Sequence, residues 1–461
     1  MKVLFIVTAY PRHEGDVITP WMGETIDQLR KSGVDVEVLA PSYRGSTTSV
    51  VGGILVHRFR YAPESMETLT HDMPALERIS RNPMFAALLP AYIAAGSKYA
   101  RRLAREGNFD VVHAFWPIPH GIFGVAARKA SRAALVSTFF SAELNWKGMT
   151  RKVFAPILKD IVESSDAITV ISSYTGSRLR EFAPDVETVT IPFGAAAVSR
   201  IRPSVETRNA SDPFELLFVG RLVKRKGVDV LLRAAKLLQS DRRLHVRIVG
   251  GGPEKQWLEN YAESLGLSES VTFDGVVDSN RIAELFTTCD ALVLPAIITE
   301  TGDTEGLGVV LIEAMGYGKP VIASSAGGIV DIVADDDTGL LVPPGDADAL
   351  ASAITRAMDE PVALAEIASR GTGFAERRFG WEAGSRTPIH WSRASCPTIE
   401  RPPSRLGGRL YEFGRAGGRG PSCVLRKASA NRCEARFDQG GGRGRSAAVE
   451  PVSAGCSSRW P

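Results

Sequence analysis

Short apolar runs alternate with longer amphipathic stretches along most of this 461-residue chain. The short runs are rich in Val, Ile and Leu, which is typical of buried parallel strands, and the stretches between them repeat apolar residues at helical spacing. We expect strands in the first half at residues 3–7, 34–39, 111–113, 135–138, 168–171 and 188–191. In the second half we expect them at residues 215–219, 245–249, 271–274, 291–294, 320–323 and 339–342.

This alternation predicts an α/β fold with two doubly wound, Rossmann-like domains that face each other across a cleft. The first domain is expected at residues 1–193 and the second at 214–383, with a polar, proline-bearing linker at 194–213. Neither first strand is followed by GxGxxG, and no GK[ST] follows the glycines at 250–252. A nicotinamide dehydrogenase and a P-loop nucleotidase are therefore disfavoured.

Residues 384–461 differ in composition from the rest of the chain. They hold 14 Lys or Arg against 5 Asp or Glu, so the remainder carries a net charge of −6 and lacks the charge of a nucleic-acid binder. Only 10 of these 78 residues are Leu, Ile, Val or Phe, which predicts a basic, low-complexity and disordered tail. The change follows FAERRFGWEA, which has the pattern of a helix start, and we hypothesise a reading-frame shift near codon 384.

Cysteine usage and the apolar runs indicate a cytoplasmic protein. Outside the tail the only cysteine is Cys289, so no disulfide framework is expected. The first apolar run is too short for a signal peptide, and the run at 85–96 contains Pro90 and falls short of the roughly 20 residues of a spanning helix. The apolar and basic segment 83–105 predicts a core helix, with peripheral contact at the inner membrane face as the alternative.

Candidate chemistry is concentrated at residues 304–318, TEGLGVVLIEAMGYG. Glu305 precedes a glycine-rich helix start, where it can accept hydrogen bonds from a sugar, and Glu313 lies two turns later, where it can reach a ribose. The first-turn N–H groups have no intrahelical partner and make a seat for phosphate oxygens. The residues that carry them are Gly306, Leu307, Gly308 and Val309. A capped surface helix with two solvated acids explains the spacing equally well.

Two cations lie in the predicted loop after the first strand of the second domain. Within GRLVKRKG, Arg221 can bind a diphosphate bidentately and Lys226 can supply a point charge, so that both stabilise a leaving group without a metal. A basic loop alone is more often simply solvated. Combined with Glu305 and Glu313 in the same domain, it favours a nucleotide diphosphate site.

Together these segments resemble glycosyltransferase family 4, retaining enzymes of the GT-B fold. The resemblance rests on VLFIVTAYPRHEGD, DVVHAFWPIPHG, GRLVKRKG, IVGGGPE, EGLGVVLIEAMGYGKPVIASSAGGIVDIV and TGLLVPPGD. It implies transfer of a sugar from a nucleotide diphosphate donor in the second domain to a hydroxyl acceptor, glycan or lipid-linked, in the first. It also implies retained configuration by front-face attack, with no metal and no further cofactor.

The resemblance assigns roles to individual residues. Arg221 and Lys226 would contact the diphosphate, and Glu313 the ribose. Glu305, with the amides of residues 306–309, would contact the transferred sugar and its phosphate. The nucleoside would lie near Val276 and Val277, and the candidates for acceptor or sugar contact are Glu14, Gly15, His113 and His120.

Three positions depart from the family or compete with this assignment. The family often has Pro where Gly308 stands, and Pro would preset φ, so its loss is expected to loosen the helix start. Many members have His where Phe115 stands, so His113 or His120 must substitute for it or the contact is absent. The Asp-x-Asp at 335–337 suggests a metal site, but its context favours a polar loop.

Two other functions stay open at this point. A GT-B relative such as an epimerase or a phosphorylase would use the same donor domain. In GT-B proteins the last helix commonly crosses back onto the first domain, so an altered tail would leave apolar surface uncovered. In that case the protein would bind a nucleotide without catalysing a reaction.

Overall fold

The computed structural model describes residues 1–380 except 15, 17, 72–74, 146–147, 193–212 and 241–242. The described residues belong to the first of two compact units, residues 1–400. Gly15, the predicted tail and all but the last residue of the predicted linker lie outside the described residues.

Among the described residues, eight strands form a sheet in the first half of the chain, in the order β3-β4-β2-β1-β5-β6-β7-β8. Every neighbouring pair is parallel except β3 with β4. The strands are β1 (Lys2–Ile6), β2 (Asp35–Pro41), β3 (Ser49–Val51), β4 (Ile54–Phe59), β5 (Val111–Phe115), β6 (Ala134–Phe139), β7 (Ala167–Val170) and β8 (Val189–Thr190). The helices are α1 (Pro20–Lys31), α2 (Ala75–Arg81), α3 (Leu89–Glu106), α4 (Pro117–Arg128), α5 (Gly148–Ser164) and α6 (Ser173–Arg180).

A second, fully parallel sheet of six described strands follows in the order β11-β10-β9-β12-β13-β14. Its strands are β9 (Phe214–Val219), β10 (Leu244–Val249), β11 (Val271–Gly275), β12 (Ala291–Leu294), β13 (Val321–Ser324) and β14 (Leu340–Val342). The helices are α7 (Val228–Leu237), α8 (Lys255–Ser264), α9 (Ser279–Thr288), α10 (Val309–Gly316), α11 (Ala347–Asp359) and α12 (Pro361–Phe379).

The structure confirms every predicted strand to within about two residues and adds the hairpin β3–β4. That hairpin was missed because its first strand has three residues and is antiparallel, outside the strand–helix alternation. The prediction that FAERRF begins a helix is wrong, since these residues end α12. Segment 83–105 is a 3-10 turn (Pro83–Leu88) followed by α3, which buries Tyr92, Ala100 and Leu103, as a core helix does.

Continuous apolar strands build the interior of both halves. β5, β6, β12 and β13 are buried at every residue, because helices cover both faces of each sheet. Each fully buried Leu, Ile or Val side chain contributes about 1.5–3 kcal/mol relative to an exposed one. The loops at the carboxyl ends of these strands are therefore held by a close-packed core.

The carboxyl ends of β6 and β7 meet loops of the second half of the chain. Asn145 Nδ2 donates to Asp303 Oδ1 at 2.9 Å. The N–H and Oγ of Ser173 each donate to Asp331 at 2.5 Å. These contacts place the loop after β6 beside Asp303, which directly precedes the motif at 304–318, and the start of α6 beside Asp331.

Candidate functional site

The loop from β9 to α7 carries Lys226 and depends on glycine at one tight point. Gly227 has φ +65°, and a β-carbon there would overlap the carbonyl oxygen of Pro295, at the end of β12. Only glycine combines this left-handed backbone with such close packing. The close approach places Lys226 directly beside the segment that begins at Thr304.

Lys226 and Glu305 form the charged centre of the site. Lys226 Nζ lies 2.6 Å from Glu305 Oε2, and the two side chains are only 12% and 13% exposed. Burial pushes the pKa of Glu305 upward, but Lys226, Arg225 and the N–H of Leu307 outweigh it and hold the pKa below its ordinary value. Glu305 is therefore a carboxylate held ionised and oriented before any substrate binds.

Helix α10 begins immediately after a left-handed glycine. Gly308 caps it with φ +91° and ψ +47°, and its carbonyl accepts from the N–H of Leu311 at 2.9 Å. The N–H groups of a helix's first turn have no partner within the helix, so this end of α10 attracts anions. Proline, restricted to φ near −65°, cannot adopt the Gly308 backbone. The expectation that proline would preset this turn is therefore wrong for this chain.

Glu313 lies within α10, and its pKa is shifted in the opposite direction to that of Glu305. Burial, with the negative charge of Glu24 adding to it, raises the pKa of Glu313 to about 7, and Lys226 opposes that rise. Glu24 belongs to α1 of the first half, so its effect shows that the two halves approach each other at Glu313. Near neutral pH, the neutral and the ionised forms of Glu313 are therefore both populated.

Arg221, Val276 and Val277 lie on loops around this centre. Arg221 is exposed after β9, Val276 is 82% exposed after β11, and Val277 packs partly on the core. Val276 Cγ2 would lie 2.9 Å from a β-carbon at Gly251, so that valine lies directly beside this glycine. The structure thus pairs Lys226 with Glu305, which also accepts from the N–H of Leu307 just before α10, and places the other three residues on neighbouring loops.

His113 is part of the first-half core. It is 1% exposed, its ring centroid lies 3.9 Å from that of Phe115 and 5.2 Å from that of Phe5, and Nε2 is 2.6 Å from Thr138 Oγ1. Burial holds its pKa well below the ordinary histidine value. These surroundings indicate a neutral, structural histidine rather than the predicted sugar contact.

His120 is equally buried within α4. Its Nδ1 lies 3.2 Å from the carbonyl oxygens of Phe115 and Trp116, and its Nε2 lies 3.1 Å from Tyr92 Oη. Burial lowers the pKa of His120 to about 4, although the two carbonyl contacts oppose this shift. With both ring nitrogens engaged, His120 stabilises the turn at Trp116. Glu14 is exposed in the loop after β1, and Gly15 lies outside the described residues.

An aromatic cluster at the first-half edge was not predicted. The rings of Trp116 and Phe140 stack at 4.1 Å, and that of Trp21 lies 5.8 Å from Trp116 and 6.0 Å from Phe140. The carbonyl oxygen of Phe140 would lie 3.1 Å from a β-carbon on Gly306. The signal was present, because HAFW and TFFS place aromatic residues directly at the ends of two strands.

Asp303 links the two halves next to Glu305. Its carboxylate accepts from Asn145 and lies 3.7 Å from Arg225 Nη1. Burial raises the pKa of Asp303, Arg225 opposes the rise, and the charge of Glu305 adds to it. A half-buried carboxylate that binds residues of both domains makes this contact sensitive to local charge.

Residues 335–337 form the polar loop that their context predicts. The first aspartate accepts from the N–H of Leu341, and the next two pair with Arg356 and Arg370. Within the described ranges, no three or more His, Cys, Asp or Glu side chains are grouped so as to hold a metal ion. No helix in the described part of the chain combines the length and apolar character needed to cross a bilayer.

Comparison with known proteins places both halves of the chain. Residues 21–196 match the family model described as Glycosyltransferase Family 4, and residues 201–373 match Glycosyl transferases group 1. The chain is 29% identical over 336 residues to the GDP-mannose-dependent alpha-(1-6)-phosphatidylinositol monomannoside mannosyltransferase of Mycolicibacterium smegmatis, covering 70% of this chain and 86% of that protein. It is 27% identical over 404 residues to the glycogen synthase of Mycobacterium tuberculosis, covering 83% and 92%.

Solved structures share the fold at low sequence identity. Sucrose-phosphate synthase from Thermosynechococcus elongatus superposes with a TM-score of 0.69 at 24% identity, covering 85% of this chain and 98% of its own. Anabaena HepE, in complex with UDP and glucose, superposes with a TM-score of 0.60 at 20% identity, covering 86% and 100%. The two facing doubly wound sheets are thus a GT-B fold.

Proposed function

The chain belongs to the family 4 glycosyltransferases of the GT-B fold, and we propose that it moves a sugar from a nucleotide diphosphate donor to a hydroxyl acceptor with retained configuration. The observation that carries this proposal is the Lys226–Glu305 pair beside the first turn of α10. A cation, an ionised carboxylate and helix-start N–H groups in one place suit the diphosphate and the sugar of such a donor.

Each group in the second domain has a distinct task in this proposal. Lys226, Arg221 and the N–H groups at residues 306–309 stabilise the negative charge that builds on the diphosphate as it leaves. The Glu305 carboxylate accepts hydrogen bonds from hydroxyls of the transferred sugar. Glu313 accepts them from the ribose, and Val276 and Val277 line the nucleoside.

Retention follows from attack on the same face from which the diphosphate leaves. The bond from the anomeric carbon to the diphosphate oxygen breaks, the acceptor oxygen bonds to that carbon, and its proton passes to the departing phosphate. Glu305, the carboxylate beside the donor site, is already paired with Lys226. This pairing favours front-face attack over a covalent glycosyl intermediate.

Cations of the protein take the place that a metal ion holds in other transferases, so we propose metal-independent transfer. The acceptor would be a glycan or a lipid-linked hydroxyl at the aromatic edge of the first domain, in a cytoplasmic protein with peripheral membrane contact. Transfer that persists after EDTA treatment would support the first point. Loss of activity in EDTA that Mg²⁺ or Mn²⁺ restores would contradict it.

A thermal-shift screen of nucleotide sugars tests the donor site. GDP-mannose and UDP-glucose are the first probes, because the names of one relative and one structural neighbour mention GDP-mannose, UDP and glucose. A ligand at 100 times its Kd that binds only the folded state stabilises it by about 2.7 kcal/mol. The same shift is expected to be absent in Lys226→Ala.

Product analysis then separates transfer from related chemistry. Incubation of the bound nucleotide sugar with candidate acceptors, with and without inorganic phosphate, is expected to give a glycosylated acceptor and free nucleotide diphosphate. A sugar phosphate formed only with phosphate would indicate a phosphorylase, and an isomerised sugar an epimerase. If no nucleotide sugar stabilises the protein, the donor-site proposal is wrong.

A further inference from the structure

Glu143 is a buried carboxyl group at the junction of the two domains, and the proposed transfer chemistry does not use it. It lies in the 3-10 turn Ala142–Leu144 after β6 and is 6% exposed. Oε1 accepts from the N–H of Phe140 at 2.7 Å, and Oε2 has no hydrogen-bond partner among the described residues. Such a half-satisfied buried carboxyl group is costly, which points to a role beyond packing.

The Phe140 hydrogen bond closes a turn in an unfavourable conformation. Ser141, between the two partners, has φ +80° and ψ −43°, a region that residues with a β-carbon rarely adopt. A second clamp holds the same residue, because Ser141 Oγ lies 2.6 Å from Thr175 Oγ1, which lies 2.9 Å from Ser172 Oγ. Without these bonds the turn would relax towards ordinary backbone angles.

This turn of the first domain approaches Gly306, just before helix α10 of the second domain. The carbonyl oxygen of Phe140 and the end of Ile171 would lie 3.1 and 3.3 Å from a β-carbon on Gly306, so that any side chain there would press tightly on both. Ser172 makes a similar approach to Gly328. The Phe140 ring in turn stacks on Trp116, so the turn also sets the position of the aromatic edge.

We propose that Glu143 is a positioning residue that holds the Phe140–Ser141 turn against Gly306 and thereby aligns the acceptor face with the donor sugar. It acts through Phe140 and does not itself contact the donor. This inference rests on the proposed glycosyl transfer, because only that reaction requires the two faces to meet at Gly306.

The surroundings of Glu143 explain why an amide can replace it. Burial raises the pKa of Glu143 to about 7, against the opposing effect of the Phe140 N–H and its own N–H. The charged side chains brought to this loop are Arg178 of α6, which reaches the carbonyl of Leu144 and pairs with Glu181, and Asp303, which binds Asn145. Glutamine reproduces the neutral form and keeps an oxygen for the Phe140 N–H, whereas leucine keeps only the bulk.

The experiment compares Glu143→Gln with Glu143→Leu, and uses Glu163→Gln, an exposed carboxylate on α5, as the matched control. The probe is GDP-mannose or UDP-glucose, whichever binds, and the readouts are nucleotide release at saturating donor, donor Kd by calorimetry, and hydrogen exchange of the amides at 139–145. We expect Glu143→Leu to lower turnover at least tenfold, to keep Kd within threefold, and to speed exchange at Phe140 at least tenfold. Glu143→Gln and Glu163→Gln are expected within threefold of wild type in all three.

Wild-type turnover in Glu143→Leu with fast Phe140 exchange would overturn the proposal, and so would equal loss in the Gln and Leu variants. If Glu143→Leu does not fold, Thr175→Val decides, since it removes the second clamp at nearly constant volume. Turnover at least threefold lower with unchanged Kd is expected, and a wild-type rate would overturn the proposal. Unchanged donor binding in Lys226→Ala would instead contradict the donor site itself.

Discussion

The two domains face each other with edges that differ in charge and in the types of residue that form them. The second-domain edge uses charge and bare backbone: Lys226 and Glu305 pair at 2.6 Å beside the left-handed Gly308. The first-domain edge uses neutral groups, with two buried histidines, stacked aromatic rings and a strained turn at Ser141. A diphosphate demands fixed charge, whereas an acceptor hydroxyl demands shape and position.

Lys226→Ala would break the charged edge with the largest effect. It removes the cation nearest to the expected leaving group and leaves Glu305 buried without its partner, so transfer is expected to fall about a hundredfold. Rates with a saturating nucleotide sugar, together with far-UV CD to confirm folding, measure this. Lys224→Ala, an exposed lysine of the same loop, is the control. Activity within threefold of wild type in Lys226→Ala would refute the assignment.

Glu313 sharpens the comparison through its pH dependence. Ribose hydroxyls donate to a carboxylate, and the pKa of Glu313 in the free protein is raised to about 7. Donor affinity is therefore expected to rise with pH from about 6 to 8, as the ionised form becomes dominant. Glu313→Ala is expected to weaken binding about tenfold, or about 1.4 kcal/mol, and to flatten this profile. Calorimetry at both pH values checks it, and an equally steep profile in Glu313→Gln would exclude Glu313 as the cause.

Gly308 tests whether the charged edge depends on backbone geometry. Alanine at φ +91° is strained by about 1–2 kcal/mol, so Gly308→Ala is expected to lower the free energy of unfolding by that amount and to weaken donor binding. Gly23→Ala in α1 is the matched control, because its new methyl group meets nothing within 4 Å. Urea unfolding measures the free energy of unfolding of both variants. If Gly308→Ala is as stable as Gly23→Ala, the turn tolerates a β-carbon.

The smallest effect is expected at the neutral edge. His113→Phe loses the hydrogen bond to Thr138 and is expected to cost about 1 kcal/mol of stability without changing donor Kd. The buried histidines are neutral in the folded protein, so their contribution is present above pH 6.5 and is lost as pH falls towards 4 for His120. Urea unfolding at pH 5 and 7 measures this. A large loss of transfer with unchanged stability would restore the predicted substrate contact.

Most of the fold could be predicted because its signal is local. Each parallel strand is a continuous apolar run with helices on both faces, so its position is visible in a few consecutive residues. The hairpin β3–β4 lacked that pattern, and the end of α12 was mistaken for a helix start because an amphipathic window carries no direction. The contiguous motif at 304–318 was found for the same reason as the strands.

The roles of the buried polar residues could not be predicted, because they depend on contacts between residues far apart in the chain. His113 and His120 drew attention as histidines near a strand end, but only the packing of Phe5, Phe115 and Tyr92 around them decides that they are neutral and structural. Glu143 gave no signal, because its importance comes from the Phe140 N–H and from Gly306 in the other domain.

The sequence by itself determined the two doubly wound sheets, the order of their strands along the chain, and the glycine-rich helix start flanked by Glu305 and Glu313. Those properties follow from apolar periodicity and from backbone chemistry within a short segment. Only the tertiary structure decided that Lys226 pairs with Glu305, that Glu313 lies within the field of Glu24, and that Phe140 approaches Gly306. Ion pairing, burial and their effect on pKa depend on distance and dielectric surroundings, which the chain acquires only when its two domains fold and meet.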